Sequence, residues 1–302
     1  GPTLPDGLSL GISAATVLYA LYYLLIYVPL TVRDLNDTSN WLERLLSTGD
    51  LRQRLDLDRR DVIGGIAGLS AAWALQRAGV KDYILLELEE AVGGNAASGN
   101  NAVSAYPWGA HYVPLLTAEA RAAQALFEEL GIITGWQNGL PVYNEYYLCA
   151  DPQDRLYHAG RWQEGLVPQL GVTAADRAQY DAFFAAMEQF RRKRGADGKR
   201  AFAIPLAYSA RDADLLALDT ISMADYLTRH GWDSPALRWY VDYCCRDDYG
   251  APAAAISAWA GIHYFAARDG HAANSTAQAV VTWPEGNGWI VKQMRDRLTG
   301  TM

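Results

Sequence analysis

Asp61-Val62-Ile63-Gly64-Gly65-Ile66-Ala67-Gly68-Leu69-Ser70-Ala71-Ala72-Trp73-Ala74-Leu75, followed by Tyr83-Ile84-Leu85-Leu86-Glu87 and then Gly93-Gly94, is the stretch whose order decides the fold. A short apolar run, a glycine cluster, a small-residue helix and a strand ending in an acid follow one another as a dinucleotide-binding βαβ unit requires. Gly68, Ala71, Ala72 and Leu75 give the helix a smooth face for packing on a sheet, and Gly79 is placed to stop it. The glycines have a chemical reason. A pyrophosphate must come within hydrogen-bond distance of backbone N–H groups at a helix N-terminus, and a Cβ in the turn would hold it off. Glu87 stands at the end of the second strand, where such folds place an acceptor for ribose hydroxyls, and an acid there suits an unphosphorylated ribose. A glycine triplet alone is a weak signal. The loop, helix, strand and acid in register make it specific.

The run Ile66 to Trp73, then Leu85-Leu86-Glu87 and Gly93-Gly94-Asn95, resembles the N-terminal FAD-binding signature of the flavin amine oxidase and phytoene desaturase superfamily. Tyr106-Pro107-Trp108-Gly109-Ala110-His111-Tyr112-Val113 is similar to the segment that passes along the isoalloxazine ring in that superfamily, and Thr282 to Trp289 to its glycine turn before a returning helix. The resemblance covers residues about 61 to 302. It implies an α/β fold, with an FAD-binding Rossmann-like βαβ unit and a largely helical substrate domain. It also implies FAD contacts from Gly64, Gly65, Gly68, Glu87, Gly93, Gly94, Asn95, Gly109, Ala110, His111 and Tyr112.

The implied activity is that of an FAD-dependent oxidoreductase taking a hydride from a C–N or C–C bond of a small or lipophilic substrate. The cofactor carries such chemistry, so no catalytic triad or acid pair need be found, and no catalytic residue is assigned. Flavin isomerases share the signature, and a flavin-free, membrane-attached interaction protein on the same fold is a third reading. Three departures from the family pattern stand out. Only Val62 and Ile63 lead into the loop as apolar residues, and Ile63 takes the first glycine position, which predicts a first strand short by roughly three residues against the usual five to six. Asn95 stands where many members carry an Arg. The family's C-terminal flavin-contacting segment is not in the chain, which suggests part of a longer protein.

Length and charge bound the rest. With 302 residues, half of them apolar, the chain can bury an ample core over about two domains. The expected divisions are an N-terminal segment and linker over 1–60, the FAD-binding unit over 61–135, and a mostly helical substrate domain over 136–302. A net charge of −8 argues against nucleic acid as a partner and leaves a small molecule. The basic run Arg191-Arg192-Lys193-Arg194 closes a helix opened by Thr173 with Asp176, and reads as a solvated helix end. The three cysteines form no disulfide framework, since Cys244 and Cys245 are adjacent and Cys149 is distant. No metal-ligand spacing occurs, so no metal is expected. His111 is the one histidine inside a motif, while His263, four residues after Trp259, reads as packing.

From Leu8 to Thr31 there is no charge, a length that can span a bilayer, with tyrosines near Pro29 suited to the interface. A membrane anchor and a buried helix stay open as readings. The first makes the protein membrane-associated or exported in a bacterium, the second cytoplasmic. Asn36 to Arg60 reads as an amphipathic helix and linker. Farther on, Thr117 to Leu130 is expected as a helix before Gly131, and Val142 to Leu148 as a strand. A hairpin is expected over Arg155 to Trp162, folded about Ala159-Gly160. Phe183, Met187 and Phe190 form a stripe, Ser222 with Asp225 a capping box, and Ser234-Pro235 opens a helix whose Trp239, Tyr240 and Tyr243 read as core or as cavity lining.

Overall fold

The computed structural model describes residues 60–63, 65–80, 82–87, 89–149, 154–276 and 279–300, the first four as backbone only. The apolar segment 8–31, the linker as far as residue 59, and Gly64 lie outside the described residues. The elements in chain order are β1 (Arg60–Ile63), α1 (Gly65–Arg77), β2 (Tyr83–Leu86), β3 (Ser98–Asn100), β4 (Ala105–Pro107), β5 (Tyr112–Pro114), α2 (Arg121–Glu129), β6 (Ile133–Gln137) and β7 (Leu140–Tyr143). They continue with β8 (Arg155–His158), β9 (Arg161–Glu164), α3 (Ala174–Arg192), α4 (Ala213–Leu216), α5 (Met223–Arg229), α6 (Pro235–Tyr249), α7 (Ala258–Ala266), β10 (Val280–Thr282) and α8 (Gly288–Arg295).

β1 and β2 pair in parallel, Arg60 opposite Tyr83 through Ile63 opposite Leu86, with α1 as the crossover. This is the βαβ unit the sequence predicts. β1 has four residues, and it gains that length by taking in Arg60 and Asp61 beside the two apolar positions. α1 ends as expected: Gly79 adopts φ +80 and the Val80 N–H donates to the Leu75 carbonyl at 2.9 Å. Its buried face, however, is Gly68, Leu69, Ala72 and Trp73, with Ala71 exposed, so the helix is rotated from the predicted Gly68/Ala71/Ala72/Leu75 face. Trp73 sets the rotation. Its ring goes into the core while its indole N–H donates to Glu129 at 3.0 Å, which gives both the apolar body and the polar tip a partner.

Two further predicted elements are corrected. The helix expected from Thr117 starts at Arg121, because Thr117 is held in a turn: its hydroxyl donates to the Ile204 carbonyl at 2.6 Å and its own carbonyl accepts from Gln124 at 2.8 Å. The strand expected over Val142 to Leu148 is β7 followed by a turn, in which the Asn144 side chain accepts from the Tyr146 N–H at 3.1 Å. Leu148 then bridges to Val281, so β10 is flanked by β5 on one side and the 147–149 segment on the other. The Arg155–Trp162 hairpin forms as read, with Ala159 and Gly160 both at positive φ.

One core gathers Leu69, Leu85, Phe127, Ile132, Tyr143 and Val281 with residues of α8, so the chain returns to its first unit after the helical stretch. The other core lies among α3, α5, α6 and α7. Phe183 sits fully buried at its centre, edge-on to Phe184, Trp232 and Phe265 at centroid distances of 5.4, 5.5 and 5.0 Å, contacts worth about 0.5–1.5 kcal/mol each beyond area burial. The caps read from sequence are in place. Thr173 and Asp176 form a reciprocal capping box, and Ser222 and Ser234 accept from Asp225 and Leu237 N–H groups.

His263 packs as predicted, stacked on Trp259 at 5.1 Å with Nε2 2.9 Å from the Ala203 carbonyl. Burial holds its pKa below the ordinary histidine value, opposing the bond to Ala203 and reinforced by the charge of Arg268. The unfolded chain therefore binds a proton at His263 that the folded chain refuses. Stability from this group is full above pH about 6.5 and falls as pH drops below it, by at most about 1.4 kcal/mol per pH unit. Urea unfolding at pH 7.5 and 5.5 is expected to show a smaller difference for His263→Gln than for the native chain.

Candidate functional site

The first N–H groups of a helix have no intrahelical acceptor, so what meets them identifies the end of α1. Gly65 opens this helix at φ +79, and its N–H donates to Glu87 Oε2 at 2.9 Å. The other carboxylate oxygen of Glu87 accepts from the Glu89 N–H at 3.3 Å. The acid at the end of β2 and the glycine turn at the end of β1 are thus brought together. Gly93 and Gly94, at φ +132 and +54, run past the same place, and a Cβ on Gly94 would stand 3.7 Å from the Gly65 Cα. Among the described residues, nothing lies within 4 Å of where a Cβ on Gly65 would project. The result is an open cradle at a helix N-terminus that a side chain would fill. Gly68 is buried on α1.

Asn95 follows the glycine pair in a short 3-10 turn and clamps the next predicted segment. Its carbonyl accepts from the Ala110 N–H at 2.8 Å, and a Cβ on Gly109 would run into its carbonyl and its Oδ1, which is why Gly109 can be nothing larger. The Thr282–Trp289 turn lies on the other side of that segment. The Thr282 hydroxyl donates to the His111 carbonyl at 2.6 Å, the Asn287 N–H to the Ala110 carbonyl at 3.0 Å, and Asn287 Nδ2 to the Tyr112 carbonyl at 3.2 Å. A Cβ on Gly286 would lie 2.6 Å from Pro107 Cβ, so this approach also needs glycine. The 109–112 segment is consequently pinned through the Ala110 N–H and the carbonyls of Ala110, His111 and Tyr112. Asn287 Oδ1 beside this segment is buried with no hydrogen-bond partner among the described residues.

Beyond this segment opens a cavity of about 1300 Å³ between it and the helices, above the ~300–1,000 Å³ common for small-molecule sites. His111 and Tyr112 line it, as do Thr282 of β10, Tyr240, Tyr243 and Asp247 of α6, and Tyr264, Phe265 and Arg268 at the end of α7. Arg268 organises the junction. It donates to the Tyr112 hydroxyl at 2.7 Å and to Asp248 at 2.7 Å, and its guanidinium lies 4.0 Å from the Tyr264 ring centroid. The Tyr112 hydroxyl in turn faces Asp247 at 3.4 Å. Burial pushes the Tyr112 hydroxyl up from its ordinary value against the pull of Arg268, and pushes the Asp248 carboxyl up likewise. Tyr240 and Tyr264 are raised further, again by burial, and stay neutral donors.

Of the residues predicted as cofactor contacts, Glu87, Gly65 and Gly94 converge at the α1 terminus, Asn95 meets Gly109 and Ala110, Gly93 packs toward Val291, and Gly68 is buried on α1. His111 is exposed, with Nδ1 3.2 Å from the Gly109 carbonyl. Of the aromatic patch, Tyr240 and Tyr243 line the cavity, Val241 is core, and Trp239 faces away from it. Burial pushes the Cys244 and Cys245 thiols up to about 12, so both are inert, and all three cysteines are unbridged. Among the described residues no metal-binding cluster occurs, and no helix is long and apolar enough to cross a membrane. The basic run is only partly a solvated helix end. Arg192 is exposed, but Arg191, Arg192 and Arg194 line the cavity together with the buried Arg200. Sequence reasoning missed Arg268, Arg200 and Asn287. The residue Asn287 in its Gly-Asn-Gly turn was the one readable signal.

Residues 62–130 match the family model described as an NAD(P)-binding Rossmann-like domain. No curated protein matches the sequence. Among solved structures, the fold is similar to that of wild-type putrescine oxidase bound to putrescine, with a TM-score of 0.51 at 18% identity over 80% of this chain and 49% of that one. A variant of the same oxidase gives a TM-score of 0.50 at 18% identity, over 80% and 50% of the two chains. A fatty acid isomerase from P. acnes that produces CLA gives 0.40 at 20% identity, over 80% and 50%. The chain spans about half the length of these proteins. The fold is therefore α/β and Rossmann-like, similar to that of putrescine oxidase.

Proposed function

We propose that this protein binds FAD and acts as an oxidoreductase on a substrate held in the cavity beside residues 109–112. One observation carries the reading: the pinned 109–112 segment touches the dinucleotide cradle through Asn95 on one side and the cavity through His111 and Tyr112 on the other. A ligand long enough to lie from the cradle along that segment reaches the cavity. The residues fit FAD on three counts. The cradle at Gly65 is open where a Cβ would stand, Glu87 presents a carboxylate there, and Asn287 Oδ1 is a buried acceptor in want of a donor. An acid beside the cradle disfavours a 2′-phosphorylated ribose by like charge.

When bound, the flavin supplies the acceptor for a hydride drawn from a C–N or C–C bond. The chain's part is to bind, orient and exclude water. Gly65, Gly93 and Gly94 let backbone approach the pyrophosphate, and Glu87 takes the ribose hydroxyls. Arg268 fixes the Tyr112 hydroxyl by a charge-assisted bond, so that Tyr112 presents a neutral phenol to the cavity. Tyr264 and Phe265 line the cavity wall beside it. Purified protein is expected to show flavin absorbance near the visible blue, and heat-released cofactor to run as FAD on chromatography. FMN would exclude the role given to Glu87, and a protein that stays colourless after incubation with FAD would exclude the flavoprotein reading.

A further inference from the structure

Five arginines and four carboxylates line the cavity, and on the side away from Arg268 two arginines, Arg191 and Arg192, share one carboxylate, Glu188, while Arg200 pairs with Asp269. α3 ends at Arg192, and the chain turns back so that Arg194 and Arg200 face each other across an antiparallel bridge; Arg191, Arg192, Arg194 and Arg200 all line the cavity. Arg200 is the least hydrated, with a side chain 9% exposed. Its Nη2 is 2.8 Å from Asp269, an ion pair without hydrogen-bond alignment, for neither Nε nor Nη2 has an acceptor. Asp269 is shared besides with His271 at 3.4 Å. Arg191 donates to the Phe265 carbonyl at 2.7 Å and to Glu188 at 3.1 Å, while its Nε is buried without a partner among the described residues. The second oxygen of Glu188 is taken by Arg192 at 2.7 Å.

A guanidinium removed from water and imperfectly paired is costly, and an anion brought beside its charge lowers that cost. The orphaned Nε and Nη2 atoms are sealed from solvent, so the incoming group meets the cavity-facing edges of the guanidiniums. Their planar forks match a carboxylate. The neighbouring lining is apolar, from Leu115, Leu166, Phe184, Met187 and Phe265. We propose that the arginine corner formed by Arg191 and Arg200 anchors the carboxylate of an amphiphilic substrate whose apolar body occupies the cavity. This rests on the reading of the cavity as the substrate site and narrows the substrate from any lipophilic molecule to an acid.

The test is calorimetric titration of the whole protein with decanoate, decylamine and decyl phosphate, alongside measured flavin content. Decanoate is expected to bind and decylamine not. Arg191→Gln, which removes donors from a partly exposed side chain, is expected to weaken decanoate about tenfold, the effect of losing one charged hydrogen bond. Arg200→Gln should act likewise, and if it does not fold, Arg194→Gln provides the second position. Decylamine binding as tightly as decanoate, decyl phosphate binding where decanoate does not, or an unchanged decanoate affinity in folded Arg191→Gln would each overturn the proposal. The two readings fail separately. A flavin-containing protein indifferent to decanoate sinks only the arginine corner, whereas a flavin-free protein that binds decanoate through Arg191 keeps the corner and sinks the oxidoreductase.

Discussion

Gly65→Ala is expected to leave the chain folded and nearly empty of flavin. Gly65 sits at φ +79, where an L-residue costs about 1–2 kcal/mol, and no described residue lies within 4 Å of the new methyl to add a clash. In a domain of this size that is a fall in melting temperature of several degrees, at about 2–4 °C per kcal/mol. Cofactor binding fails for a different reason. The methyl projects into the open cradle at the α1 terminus, where a pyrophosphate must come to about 2.9 Å of the backbone N–H groups. Loss of two or more charge-assisted bonds at about 1.5–3 kcal/mol each corresponds to a hundredfold or greater weakening. Flavin absorbance per protein and FAD titration of the folded variant check both halves. Full occupancy would mean that the dinucleotide lies elsewhere, whatever the melting temperature shows.

The cradle was legible in the sequence because its parts are local. Glycines, a helix start and a strand end are set by backbone geometry within one βαβ unit, and Glu87 lands on Gly65 because β1 and β2 are adjacent and parallel. Helix caps at Thr173, Ser222 and Ser234 were readable for the same reason. The cavity was not. It needs Arg268 at the end of one helix against Tyr112 on a strand 156 residues away, and no periodicity encodes that meeting. The rotation of α1 escaped because the helix is rich in small residues and its one aromatic side chain, Trp73, joins Leu69 on the buried face by finding Glu129 in another helix. The basic run misled in an instructive way. Cations at a helix C-terminus are so often solvated that only the fold-back bridging Arg194 to Arg200 reveals a second use for them.

Glu87→Ala separates the two jobs that one carboxylate holds. In the structure it ties the glycine turn to the end of β2 through the Gly65 and Glu89 N–H groups, and in the proposed complex it takes ribose hydroxyls. Removing it loses charged acceptors on both sides, so FAD affinity is expected to fall about a hundredfold, from two bonds at about 1.5–3 kcal/mol each. Glu87→Gln keeps an acceptor oxygen but no charge, and should lie between, at about tenfold. The stability change should be smaller than the binding change, because the Gly65 and Glu89 N–H groups stand near solvent and water can replace the carboxylate there. Isothermal titration with FAD and thermal unfolding without it give the two numbers. If the alanine variant binds FAD as the native chain does while losing stability, the acid serves only to shape the loop; the preference for an unphosphorylated ribose would then have to come from another residue.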